Sequence, residues 1–339
     1  MQLGLYSFGD SSVDPLTGSY VSESTIYKNL LERIELADQV GLDYFGIGEH
    51  HREDYPVSAP AVVLAAAASR TRNIQLGSAV TVLPTEDPVR VFEQFSTLDH
   101  LSEGRAELTV GTGIFREPYP LFGYSVSESQ ANFTEKLELL RGLNESQEVD
   151  FQGEFRTSLT GTKLWPRPVN KKLNIWVATG ETPESSERAA SLGFNANYSF
   201  LHAAPASKKH IVEHYRQIGR DHGHHNLKVA IAGRGFVAEK SGDAKAAIYR
   251  GWLPSVSKTN SERGHGAPTK ALFEDHANGD GPIIAGDPNE VADRLANIHA
   301  ELRHDRHMLQ FDIGNIEHSL VMKSIELLGT KVLPQLKNL

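Results

Sequence analysis

Cysteine is absent from all 339 residues, which excludes disulfides, thiolate-held zinc, iron–sulfur clusters and a thiol nucleophile. A reducing compartment is compatible with that composition, and a cytoplasmic protein is expected. Basic excess is absent as well. Only 34 Lys and Arg stand against 43 Asp and Glu, a formal net charge of −9, so neither nucleic acid nor a membrane surface is an expected partner. No apolar run reaches the length of a membrane span, and MQLGLYSFGD reads as a buried strand, not as a charged head with an apolar signal segment. No G-x-G-x-x-G follows that first strand, as a dinucleotide-binding sheet would carry. What is present is ordinary for a full hydrophobic core: 39% hydrophobic, 8% aromatic and 23% charged residues. A small-molecule substrate is therefore expected.

Strand and helix patterns alternate along nearly the whole chain. Leu3 to Phe8, Tyr44 to Gly48, Ile74 to Leu83, Ala106 to Gly111, Ile175 to Ala178, Ala196 to Leu201, Lys228 to Ala238 and Met308 to Ile313 read as eight strands. Between them helical periods run over Ser24 to Val40, Ala59 to Arg70, Val89 to Leu101, Glu128 to Arg141, Pro183 to Leu192, Ala206 to His222, Asp243 to Ser257 and Pro288 to Leu302, with a last helix over Ser319 to Val332. Parallel strands joined by right-handed crossovers follow, because a hairpin cannot join parallel neighbours. The expected fold class is α/β, a (β/α)8 TIM barrel with insertions, as one domain over residues 1–339; an open doubly wound sheet is the rival. Two stretches break the rhythm. Residues 148–168, with VDFQGEFRT turning at Gly153, read as an inserted surface hairpin. Residues 258–282, rich in Gly, Asn, His and charge, read as a mobile loop or lid.

Polar residues gather at the expected strand ends. Glu49-His50-His51 offers imidazole and carboxylate, yet adjacent strand residues point to opposite faces, so no metal site is expected. Glu49 either orients the His50 imidazole or pairs with Arg52. ATGETPESSERA supplies a loop running into a helix start, where backbone amides and the Ser185 hydroxyl make an anion site. A plain capped helix explains the same residues, and Glu181 and Glu184 oppose an anion unless they point away. The run AVVLAAAA from Ala61 to Ala68 suits either close contact with a second copy or packing on the barrel.

Several segments, in this order, resemble the flavin-dependent luciferase-like monooxygenases: GLDYFGIGEHH, SAVTVLPTEDPVRVFEQFSTLDHLSEGR, GTGIFREPYPLFGY, WVATGETPESSERAASLG and SIELLGTKVLPQL. The resemblance implies a luciferase-like barrel that takes reduced FMN at its C-terminal mouth and turns O2 on a small organic substrate. A separate flavin reductase would supply the FMN, F420 replaces it in some relatives, and a homodimer is implied. It makes His50 the catalytic residue, a neutral imidazole able to hold or pass a proton. Ala79 and Val80 match a non-proline cis peptide against the flavin ring. Thr179, Gly180, Glu181 and Ser185 match the phosphate loop and Thr112 a further cofactor position; Phe200 matches an aromatic of the flavin pocket, and core packing explains it equally well. The chain departs from its relatives at Thr112 and Gln130, where arginine is usual; losing both cations weakens a phosphate clamp unless Arg116 or Arg52 compensates. An alternative implied by those departures is a flavin-poor, non-catalytic partner subunit.

Overall fold

The computed structural model describes residues 1–11, 20–314 and 316–337. Its strands are β1 (Gln2–Ser7), β2 (Tyr44–Ile47), β3 (Gln75–Ser78), β4 (Thr81–Val82), β5 (Ala106–Gly111), β6 (Glu148–Phe151), β7 (Leu159–Lys163), β8 (Asn174–Thr179), β9 (Asn195–Ser199), β10 (Val229–Val237), β11 (Ile283–Gly286) and β12 (Arg306–Gln310). The helices are α1 (Glu23–Gln39), α2 (Pro60–Ala68), α3 (Pro88–Leu101), α4 (Pro118–Leu121), α5 (Ser129–Glu145), α6 (Pro183–Ser191), α7 (Lys209–Asp221), α8 (Ser241–Glu262), α9 (Lys270–Ala277), α10 (Pro288–Leu302), α11 (His318–Leu327) and α12 (Leu333–Leu336).

Eight strands pair in parallel in the order β12-β1-β2-β3-β5-β8-β9-β10, and β10 pairs again with β12, so the sheet closes into a barrel. Helix starts carry their own signals. Asp87 accepts from the amides of Val89 and Arg90 ahead of Pro88, and Asp287 accepts from those of Asn289 and Glu290 ahead of Pro288. Such caps satisfy amides that the first turn leaves without partners, and Pro at the first position has no amide to leave orphaned.

Side chains alternate between two cores. Leu5, Phe45, Leu76, Leu108, Val177 and Ile231 face outward into the layer between strands and helices. Tyr6, Tyr44, Trp176, Ala230, Ala232 and Met308 fill the lumen. The lumen floor, at the strand starts, is polar: Arg306 forms a two-pronged ion pair with Glu107, at 2.6 and 3.0 Å. Trp176 Nε1 and Asn174 Nδ2 donate to the same carboxylate at 3.0 and 2.7 Å. The guanidinium lies over the rings of Tyr44 and Trp176. Every strong hydrogen-bonding direction of this carboxylate is used, as a buried charge requires.

Four sequence expectations need correction. The third strand does not run from Ile74 to Leu83: β3 and β4 are separate, interrupted at Ala79–Val80, whose peptide is cis, and Leu83–Thr85 turns into a 3-10 helix. Residues 258–282 are not a loop throughout. The helix α8 runs on to Glu262, past an internal Pro254, and α9 follows, capped by Thr269. An eight-residue helix that buries only Phe273, His276 and Ala277 is too short to show a readable period. The four-residue strand β11 was also missed; it pairs only with the outer half of β10. Finally, the last helical stretch is broken by a π turn over Leu328–Val332 before α12, in which Pro334 provides no amide.

Candidate active site

The end of the barrel opposite the Arg306 floor is the C-terminal mouth, and a cavity of about 290 Å3 opens there. Its walls include six strand ends: Phe8 after β1, His50 after β2, Ala79 and Val80 after β3, Gly111 and Thr112 at the end of β5, Thr179 with Gly180 at the end of β8, and Ser199 at the end of β9. Ile114 and Phe115 also border an adjoining groove of about 830 Å3. Pockets that hold drug-sized ligands run from roughly 300 to 1,000 Å3, the scale of this cavity together with its adjoining groove.

His50 is 7% exposed and sits in an aromatic box. Its ring centroid lies 4.7 Å from that of Phe8, 4.9 Å from Tyr55 and 5.6 Å from Phe115. Its backbone amide donates to the Val57 carbonyl at 2.8 Å, while the ring Nδ1 is buried without a hydrogen-bond partner. Burial pushes the imidazole pKa down to about 3, the Asp54 charge opposing the shift, so the ring is neutral over the physiological range. Gly48 makes the box possible, because a Cβ there would stand 2.5 Å from the Phe8 ring and 3.0 Å from that of His50.

Glu49 neither orients His50 nor pairs with Arg52. It holds the His51 imidazole at 3.0 Å and accepts from the Val82 amide at 2.9 Å, tying the β2 end to β4. His51 turns away from His50 and packs against Phe122, as strand alternation requires. Arg52 is already engaged by Asp54, Glu117 and Glu262 and lies over the Phe115 ring. It is therefore no substitute for a phosphate cation. Arg116 lines the adjoining groove.

Ala79 and Val80, joined by a cis peptide, form one cavity wall, and the carbonyl of Val80 accepts from the Glu49 amide at 3.0 Å. Thr179 and Gly180, two strands further round the barrel, also line the cavity. Ser185 does not reach the cavity: its hydroxyl donates to the carbonyls of Thr182 and Gly180, at 2.8 and 3.1 Å. Glu181 is drawn off by Lys208 at 2.6 Å, which removes one obstacle to an anion at the start of α6. Thr112 lines the cavity and Gln130 is exposed near the start of α5.

For Phe200 the structure takes the core-packing reading and not that of the flavin pocket. Phe200 is buried in the outer core, stacked on Tyr198 at 5.4 Å, and its neighbour Ser199 lines the cavity instead. Alternation gives the reason: Ala196, Tyr198 and Phe200 share the outward face of β9. Phe8, Tyr55 and Phe115 were also missed as site residues. Phe8 was findable as the last residue of an inward-facing series with Tyr6; Tyr55 and Phe115 come from loops, which carry no period.

A family description, luciferase-like monooxygenase, matches residues 1–305. An uncharacterized protein of Sinorhizobium fredii, y4vJ, is 27% identical over 341 residues, spanning 94% of this chain and 93% of its own length. The oxygenating constituent of 3,6-diketocamphane monooxygenase of Pseudomonas putida, solved with FMN, superposes with a TM-score of 0.80 at 18% identity, over 99% of this chain and 98% of that one. The coenzyme F420 dependent tetrahydromethanopterin reductase of Methanopyrus kandleri superposes with a TM-score of 0.76 at 18% identity, over 99% of each chain. At such identity the two superpositions establish a shared fold.

Proposed function

The chain belongs to the luciferase-like monooxygenase family, and from that premise we propose that it is an FMN-dependent monooxygenase acting with O2 on a small organic substrate. A separate flavin reductase would supply the reduced cofactor. The observation that carries the reading is the neutral His50, its Nδ1 without a partner, boxed by aromatic rings at the same cavity as the Ala79–Val80 peptide. An orphaned buried nitrogen costs free energy unless a bound group completes it, and the cavity has the size for one.

Reduced FMN, when bound, supplies the two electrons that activate O2. The cis backbone at Ala79 and Val80 and the small side chain of Ala178 leave a flat wall for a ring system. Thr179 and Gly180 border the loop that leads to the free amides at the start of α6, which suit a phosphate. Phe8, Tyr55 and Phe115 keep water from the His50 ring. Neutral at working pH, the His50 imidazole would hold a protonated oxygen of the bound group by accepting its hydrogen bond. Thr112 and Gln130 leave the phosphate region with fewer cations than the resemblance implies, so modest FMN affinity belongs to this reading.

Anaerobic titration of the protein with reduced FMN, with oxidised FMN and with F420 tests it. Reduced FMN is expected to bind most tightly. Preference for F420 would replace the oxygenase with a deazaflavin oxidoreductase. Absence of binding by every flavin at millimolar concentration would leave the non-catalytic partner subunit, which Thr112 and Gln130 favour.

A further inference from the structure

Arg234 stands in the outer half of β10, on the same face as Ala230 and Ala232, which fill the lumen. Ala232 pairs with Ser199, a cavity-lining residue, so Arg234 rises beside the cavity at the barrel mouth. Its Nε is buried and has no hydrogen-bond partner. Among the described residues, no carboxylate lies within ion-pair distance of the guanidinium. Asp10, whose charge bears on it from β1's end, is otherwise occupied: its carboxylate accepts from Gln310 Nε2 at 3.0 Å and from the Gly314 amide at 2.8 Å. Burial, reinforced by the charge of Asp312, raises the Asp10 pKa well above its ordinary value. The other groups that feel the Arg234 charge are the phenols of Tyr6 and Tyr55 and the imidazoles of His202 and His276. His276 Nδ1 is also buried without a partner.

A guanidinium whose Nε is buried without a partner, facing phenols and imidazoles, has no counter-charge at ion-pair distance among the described residues. Such a cation costs stability, and it is tolerated where a ligand supplies the missing negative charge. A planar fork with five donors matches two oxygens on one carbon. We propose that Arg234 is the specificity residue of the substrate site, binding the carboxylate of a small organic acid whose apolar body lies toward Phe8 and Tyr55. Identifying that acid as the substrate rests on the monooxygenase reading; the binding itself does not.

Calorimetric titration with benzoate, and with benzamide as its neutral isostere, tests this without flavin. The wild-type chain should prefer benzoate by about tenfold or more, the scale of a charge-assisted bond. In Arg234→Met that preference should vanish with benzamide binding unchanged, and Arg234→Lys should keep part of it. The melting temperature of Arg234→Met should equal or exceed that of the wild type, since no partner among the described residues is lost. Equal affinity of the wild type for the two probes, or no benzoate binding, overturns the proposal. So does a preference that survives in Arg234→Met. The FMN phosphate offers the same anionic chemistry, so FMN and riboflavin are titrated in parallel. If Arg234→Met erases the discrimination between those two and leaves benzoate binding intact, the cation serves the cofactor and the proposal fails. Failure of the wild type to bind any flavin would remove the monooxygenase reading yet leave the benzoate comparison readable by itself.

Discussion

His50 joins chemistry to stability at a single ring. Its folded pKa of about 3 lies below the ordinary 6.5, so on acidification the unfolded chain takes up a proton through a window in which the folded chain does not. Stability is therefore retained above pH 6.5 and lost as the pH falls from there toward 3. His307, also lowered by burial to about 3, and His304, lowered by burial and by its neighbour His307, contribute losses of the same sign. The His50 share is isolated by difference. Urea unfolding of wild type and His50→Gln at about pH 7 and about pH 5 should show the wild type losing more, by up to about 2 kcal/mol. An identical pH dependence for the two proteins would mean that the imidazole is solvated or paired in the folded state.

At the scale of elements, the lumen floor ties β5, β8 and β12 to one another through Glu107, Asn174, Trp176 and Arg306. Both charged partners are about 2% exposed. Removing one leaves the other buried and unpaired, which typically costs about 3–5 kcal/mol. Glu107→Gln should lower the urea midpoint by an amount of that order, because the amide keeps an acceptor but leaves the guanidinium without a counter-charge. Replacing both, as Glu107→Leu with Arg306→Met, should recover much of the loss, since an apolar pair has no charge to desolvate. If the double variant is no more stable than the single one, the floor is held by the shape of the polar network and not by the balance of charge.

For the whole molecule, association with a second copy is the open proposal. Of the apolar run on α2, Val63, Leu64, Ala67 and Ala68 are spent on the barrel, while Val62 is 69% exposed. That leaves part of the small-residue face outward, beside α1 and α3, against which α2 packs. A homodimer through this face is expected, and Val62→Glu should shift sedimentation at micromolar concentration from dimer to monomer without changing the melting curve extrapolated to low concentration. A wild-type chain that sediments as a monomer would remove the proposal. Among the described residues no helix is long and apolar enough to cross a membrane.

The amino-acid sequence by itself determined the barrel, because inward and outward faces alternate along strands such as Ala106–Gly111 and helices such as Pro288–Leu302 repeat with their own period and caps. Those signals are local, and they set the order of elements and the end of β2 on which His50 stands. The resemblance added the cis Ala79–Val80 peptide, which periodicity cannot register. Only the tertiary structure decided which groups meet at the mouth. Pairing is a matter of distance in space, which the sequence does not print: Glu49 went to His51, Arg52 to Asp54, Glu117 and Glu262, and the Arg234 Nε to no partner among the described residues. Facing was decided the same way, since a one-residue shift along β9 exchanges Phe200 for Ser199 at the cavity. Residues brought in by loops, Tyr55 and Phe115, complete the box around His50 through contacts that no local pattern encodes.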